Sequence, residues 1–257
     1  NFVLLLPKHK PYFTHSRLRC AWSAERVCHL SVVYGNHDGG QHGNHGSLAF
    51  ASEKGYLETV KFLVRRGSTN TRANGDEALI WASNHGHLEV TQFLILKGAD
   101  VHAKNGEALR CASRNGHLEV VQFLVSQGAD VNPRNDSALG WASLYGHLEV
   151  VKFLIGVGAD VHADDDSALI SASGYDHLEV VQFLIGVGAD VHAMGDEALI
   201  LASNNGHLEV VKFLIGSGAN IHADHDRALS LASMDGHLEV VKFLTSNGAN
   251  IHADHDE

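Results

Sequence analysis

The chain has 257 residues, with 30 Asp or Glu, 19 Lys or Arg and 20 His, a formal net charge of -11, and three Cys. The acidity is one-sided: residues 1–134 hold 15 basic and 11 acidic side chains, whereas residues 135–257 hold 4 and 19. Such a balance argues against nucleic acid, whose phosphates need Lys and Arg clustered over a face. No apolar run approaches the roughly 18 to 20 residues that span a bilayer, and three unpatterned cysteines (Cys20, Cys28, Cys111) suit neither a disulfide framework nor a Cys-type zinc site.

Residues 1–15 carry no repeat signal and read as an N-terminal arm. Residues 1–6 lack the basic n-region of a signal peptide and run into Pro7, Lys8 and Lys10, so a cytoplasmic rather than secreted location is expected. Residues 16–46 read as a degenerate capping repeat: Leu18-Arg19-Cys20-Ala21 echoes Leu109-Arg110-Cys111-Ala112, and His29-Leu30-Ser31-Val32-Val33 echoes a later HLEVV. His37, His42 and His45 with Asp38 invite a zinc reading. Zinc needs three or four convergent ligands, however, and no second ligand pair at finger spacing follows. A polar loop without metal is the expectation.

From residue 47 to 257 the chain is periodic. HLEV recurs at His87, His117, His147, His177, His207 and His237, 30 residues apart, and Tyr56-Leu57-Glu58-Thr59 is an earlier copy, so seven repeats are clear, the last one truncated. In the unit from Gly98, the spacing of Ala108, Leu109, Ala112 and Ser113 predicts a short helix over Glu107 to Arg114, here helix A. Gly116 permits a tight turn. Leu118 to Ser126 follows as helix B, apolar enough to be buried on most sides, and Gly128 is its left-handed cap. Glu and Lys three apart, as at Glu149 and Lys152, mark the solvent stripe. Asp76, Asp136, Asp166, Asp196 and Asp226 precede helix A and are expected to cap its free N–H groups for about 1 kcal/mol.

No single unit buries such a helix alone, so the units are expected to stack into a solenoid with one continuous core. Turn, helix, GHLEVVKFL helix and GADV loop resemble the ankyrin repeat across about residues 47 to 257. The likeness is to the shortened 30-residue form of large DNA viruses of amoebae, the general family repeat having 33 residues and a TPLH signature. Here TPLH is replaced by Glu77-Ala78-Leu79-Ile80 and its equivalents, and three residues are missing before helix A. The fold implied is all-α, an ankyrin-type helical solenoid with short loops in place of long β-hairpins.

Searching for chemistry finds no phosphate loop, nucleophile elbow or HExxH. Asp164-Asp165-Asp166 lacks the alternation and distal Glu of a calcium loop. The column His102, His162, His192, His222 and His252 stands at a spacing of roughly 10 Å, too wide for shared metal ligation, and is expected to be solvated. Cys111, with Trp81 and Trp141 at equivalent positions, is expected in the core. No cofactor, metal, membrane or nucleic acid is expected.

What varies is the surface. The pairs before the inter-helix turn read Glu53-Lys54, Asn84-His85, Arg114-Asn115, Leu144-Tyr145, Gly174-Tyr175, Asn204-Asn205 and Met234-Asp235, and the loop before helix A reads Lys104-Asn105, Arg134-Asn135, Asp164-Asp165, Met194-Gly195 and Asp224-His225. The resemblance places these on the concave, partner-binding side. Candidate partner contacts are Arg114, Asn115, Leu144, Tyr145, Tyr175, Asn204, Asn205, Met234, Lys104, Arg134, Asp164 and Asp165, with Tyr145 and Tyr175 as an aromatic anchor.

The resulting expectation is a non-enzymatic protein–protein interaction module, a scaffold or adaptor. Alternatives are a structural or virion-associated protein that self-assembles through an uncapped C-terminal repeat, or the targeting region of a larger enzyme or ubiquitin-ligase adaptor. The absence of an initiator Met and the truncated last unit suggest a fragment with further repeats or domains.

Overall fold

The computed structural model describes residues 45–65, 75–132 and 138–251, all within one unit, Gly43–Glu257. The expected arm (1–15) and capping repeat (16–46) lie outside the described residues, save the backbone of His45 and Gly46. Fourteen helices are described, in seven A–B pairs: α1 (His45–Glu53) with α2 (Leu57–Arg65), α3 (Gly75–Asn84) with α4 (Leu88–Leu96), α5 (Ala103–Arg114) with α6 (Leu118–Ser126), and α7 (Ala138–Leu144) with α8 (Leu148–Gly156). After these come α9 (Ala163–Gly174) with α10 (Leu178–Gly186), α11 (Ala193–Asn204) with α12 (Leu208–Gly216), and α13 (Ala223–Met234) with α14 (Leu238–Ser246). No strand occurs among the described residues.

Each helix A packs on its own helix B and on the A helices before and after it, and each helix B packs on the next B. The sequence explains the two layers. Along helix A the inward positions are small: Ala82, Ala112, Ala142, Ala172, Ala202 and Ala232 are fully buried, which brings neighbouring A helices close. Leu79, Leu109, Leu139, Leu169 and Leu199 fill the space between them, while Val120 and Leu124 and their equivalents do so in helix B. Helix B is less buried than its composition suggests. In α6 only Val120, Val121 and Leu124 are buried, and Phe123 and Val125 are half-exposed, because no third layer covers its outer flank.

The expected glycine cap of helix B is present. At the end of α6, Gly128 has φ 91°, its N–H donates to the Val125 carbonyl at 2.9 Å, and the Ala129 N–H donates to the Leu124 carbonyl at 3.0 Å, the two bonds that close a left-handed C-terminus. The Glu–Lys pairs form at 2.7 or 2.8 Å for Glu58–Lys61, Glu149–Lys152, Glu209–Lys212 and Glu239–Lys242. Lys61 bonded to Glu58 holds that carboxyl below its ordinary range. Cys111 is buried and is not in a disulfide.

Four A helices, α5, α9, α11 and α13, are entered through a left-handed turn instead of a hairpin. Before the regular helix starts at Glu107, Lys104, Asn105 and Gly106 have φ of 49°, 58° and 75°, and Asp164, Asp165 and Asp166 have 52°, 56° and 58°. Left-handed backbone is costly except for Gly and, less so, Asn and Asp, so the turn itself recruits Asp, Asn and Gly to these loops.

One column of the core is chemically out of place. The hydroxyls of Ser52, Ser83, Ser113, Ser143, Ser173 and Ser203 are buried in the A–A interface without a hydrogen-bond partner. An unpaired buried hydroxyl costs about 1 to 3 kcal/mol. Ser143→Ala is therefore expected to raise stability by about 1 kcal/mol, measured as a higher urea midpoint at unchanged m-value. A loss of stability would show that the hydroxyl has a partner.

Candidate functional site

The residues that lock one repeat to the next define which surface remains for function. The histidine that opens six of the seven B helices, all but α2, reaches back across the repeat boundary. Nε2 of His147 donates to the Arg114 carbonyl at 2.8 Å, and His87, His117, His177, His207 and His237 do the same to Glu53, Asn84, Leu144, Gly174 and Asn204 at 2.8 to 3.1 Å. These carbonyls sit at the C-terminal end of helix A, where no intrahelical donor is available. The ring lies over the turn glycine of the preceding repeat. At Gly116, where φ is +74°, a Cβ would stand 2.5 Å from His147 Nδ1, so glycine is required both for its backbone and for the ring. Burial lowers the pKa of His117 below the usual histidine value.

Asp176 stands where the other turns carry glycine. Its φ is +63°, and Tyr175 before it has φ -119° and ψ 20° instead of the -99° and 6° of Asn115. Its carboxylate is 3.8 Å from His207 Nδ1.

The aspartates before helix A lock the other end, which corrects the expectation that they cap their own helix. Oδ1 of Asp166 accepts the backbone N–H of Asp190 at 2.9 Å, Asp196 that of Asn220 at 2.7 Å, and Asp226 that of Asn250 at 2.9 Å, each 24 residues on; Asp76 accepts from Asp100 at 2.8 Å. The left-handed turn aims the carboxylate out of its helix and into the next repeat's loop. Asp166, Asp196 and Asp226 are buried, and His162, His192 and His222 bring Nδ1 to within 3.1, 3.1 and 2.9 Å of them. These imidazoles are tethered rather than merely solvated, although more than half of each side chain is exposed. Asp136 lies outside the described residues. At that boundary Asn132 bonds the next loop instead, accepting from the Asp160 N–H and donating to the Gly158 carbonyl, both at 2.9 Å.

With both ends locked, the variable positions fall on the free flank of helix A. Tyr145 (37% exposed) and Tyr175 (59%) end successive A helices, with Leu144 half-buried beside them. The ring partner of Tyr145 is Trp141, one turn earlier, at 6.2 Å and 17°. Arg114 of the preceding repeat lies over both rings, its Cζ 5.2 Å from the Tyr145 centroid and 5.4 Å from that of Trp141. Trp81 similarly stacks on His85 at 5.9 Å. Both tryptophans are half-exposed, contrary to their expected core placement. Their column faces outward beyond the A–A contact, as Phe50 in the same column, 56% exposed, makes plain.

The other candidates divide. Asn115 and Asn205 carry structure: Asn115 Nδ2 donates to Asn84 Oδ1 at 3.0 Å and to the Cys111 carbonyl at 2.8 Å, and Asn205 Nδ2 donates to the Gly174 carbonyl at 2.8 Å. Met234 (76% exposed), Lys104, Asp164 and Asp165 are exposed, and Asn204 is half-buried. Arg134 lies outside the described residues. No group of three metal-ligating side chains occurs among the described residues, and none of their helices is long and apolar enough to cross a membrane.

Comparison with known proteins agrees with this architecture. The family model "Ankyrin repeats (3 copies)" matches residues 24–105, 48–135, 109–194 and 169–255. No curated protein matches. Among solved structures, the human ASB11 ankyrin repeat domain is similar at a TM-score of 0.66 and 24% identity, over 76% of this chain and 96% of that one, a likeness of fold. Ankyrin repeats generally serve as protein-interaction modules. With seven A–B pairs among the described residues and the family model covering most of its length, the chain belongs to the ankyrin-repeat family.

Proposed function

We propose that this chain is a non-catalytic adaptor that binds a protein partner on the concave flank formed by helix A and the loop before it. The observation that carries this reading is the group of exposed Tyr145 and Tyr175 with half-exposed Trp141 stacked beside Tyr145, large amphipathic side chains on the flank that the His and Asp staples leave free. Exposed aromatics grouped in this way are what interfaces use as anchors. Partner contacts are assigned to Arg114, Leu144, Tyr145, Tyr175, Asn204, Met234, Lys104, Asp164, Asp165 and Arg134, with Asn115 and Asn205 holding the surface in shape. The 30-residue period supports placing the protein among the short ankyrin repeats of large viruses of amoebae, acting in the host cytoplasm.

Tyr145→Ala combined with Tyr175→Ala is expected to weaken partner binding by more than about 1 kcal/mol, measured by calorimetry on a partner recovered with the wild-type chain. Unchanged affinity with an unchanged circular dichroism spectrum would refute the assignment.

A further inference from the structure

We infer that Arg114, held over two stacked rings, is a receptor for an acidic side chain of the partner, and that the partner segment lies along the helix A ends with its acidic residue there and a basic residue at Asp176. This rests on the adaptor reading above and gives it a polarity.

The guanidinium of Arg114 is already positioned. Its Cζ stands 5.2 and 5.4 Å from the ring centroids of Tyr145 and Trp141, and its own backbone carbonyl is fixed by His147 at 2.8 Å. Stacking occupies the flat face of the fork and leaves the N–H edge for a planar, two-oxygen acceptor. Among the described residues no carboxylate pairs with Arg114, whereas Lys152, Lys212, Arg227 and Lys242 each have a Glu or Asp at 2.7 to 3.0 Å. The positive charge is thus ordered by rings instead of being neutralised by the chain, and such an arrangement loses little side-chain entropy when a carboxylate arrives.

Farther along the same row the sign reverses. Two repeats on, at the same end of helix A, Asp176 is exposed with its carboxylate 3.8 Å from His207 Nδ1, and Tyr145 and Tyr175 belong to the two repeats that follow Arg114. Repeats stacked at roughly 10 Å put about 20 Å between the two charges. An extended segment rising about 3.3 Å per residue covers that distance in about six residues. The occupant that fits is an extended protein segment bearing Asp or Glu at one position, Lys or Arg about six residues away, and an apolar or aromatic side chain between them. A uniformly acidic or basic segment meets one matched and one repelling end.

The test is selection of a displayed library of random 12-residue peptides on the full 257-residue chain, followed by affinity measurement of the enriched peptides. Enrichment of an acidic and a basic residue about six positions apart is expected. Arg114→Glu should weaken the selected peptides at least tenfold and restore binding when the peptide's acidic residue is exchanged for Lys, Arg114→Lys should weaken them less, and Asp176→Lys should select the reverse exchange at the other end. Peptides weakened by Tyr145→Ala but indifferent to Arg114→Glu would overturn this inference and leave the adaptor surface standing. Peptides indifferent to Tyr145→Ala and Tyr175→Ala as well, or no enrichment at all, would overturn both.

Discussion

His147→Ala is expected to destabilise the array by about 2 to 4 kcal/mol, the sum of a lost hydrogen bond, an unpaired helix-end carbonyl and the space left by a half-buried ring. The bond is the 2.8 Å contact from Nε2 to the Arg114 carbonyl. The ring also closes the turn at Gly116, and that makes a sharper experiment. Gly116→Ala places a methyl at φ +74° and 2.5 Å from His147 Nδ1, so its cost combines about 1 kcal/mol of left-handed backbone with displacement of the ring, about 2 to 3 kcal/mol in all. In the double variant the ring is absent and only the backbone cost remains. The double variant should therefore lose at least about 1 kcal/mol less than the sum of the two single losses. Urea unfolding followed by far-ultraviolet circular dichroism reads this directly. Simple additivity would mean that the ring does not rest on the glycine.

Because each repeat touches only its neighbours, such a loss is local in origin. Breaking the staple between α5 and α8 frees two blocks of repeats, and amide exchange should rise first on both sides of Gly116.

How far the sequence foretold this arrangement depends on the direction of each contact. Helix limits, the Gly128 cap and the Glu–Lys stripe rest on residues three to five apart, and a 30-residue period displays them without ambiguity. The histidine and aspartate staples join residues 33 and 24 apart. Periodicity shows that such a residue is needed in each unit; it does not show whether the unit spends it on itself or on its neighbour. For His the missed signal was the joint recurrence of a turn glycine and, in the next unit, a histidine. For Asp, the helix-start position carried a familiar role that the left-handed turn cancels. The outward placement of Trp141 differs from its expected core position because a seven-residue helix rich in small residues fixes its own phase poorly, although Trp141 and Tyr145 stand four apart in the sequence. The acidity of the second half also has a structural part. Asp164, Asp165, Asp166, Asp196, Asp224 and Asp226 all occupy left-handed positions, which favour Asp whatever the partner's charge.

The carboxylate staple yields the second large effect, and it runs in both directions. Asp196→Ala removes the acceptor of the Asn220 N–H at 2.7 Å and the partner of His192 at 3.1 Å, in a buried place where water does not replace them. Hydrogen bonds to charged groups contribute about 1.5 to 3 kcal/mol, so a loss of about 2 kcal/mol is expected, with Asp196→Asn recovering part of it through its amide oxygen. The repeat beginning at Gly98 lacks this device, because Gly106 occupies the aspartate's place. Its backbone is already in the right form: φ is +75°, against +63° at Asp196 and +58° at Asp166, and a Cβ there meets nothing within 4 Å. Gly106→Asp supplies a carboxylate to the Asp130 N–H and to His102 at a backbone cost of about 1 kcal/mol, so a net gain of about 1 kcal/mol follows. Thermal melts of the two single variants decide it. If Asp196→Ala is neutral the staple carries no weight, and if Gly106→Asp destabilises, the left-handed turn and not the carboxylate governs this position.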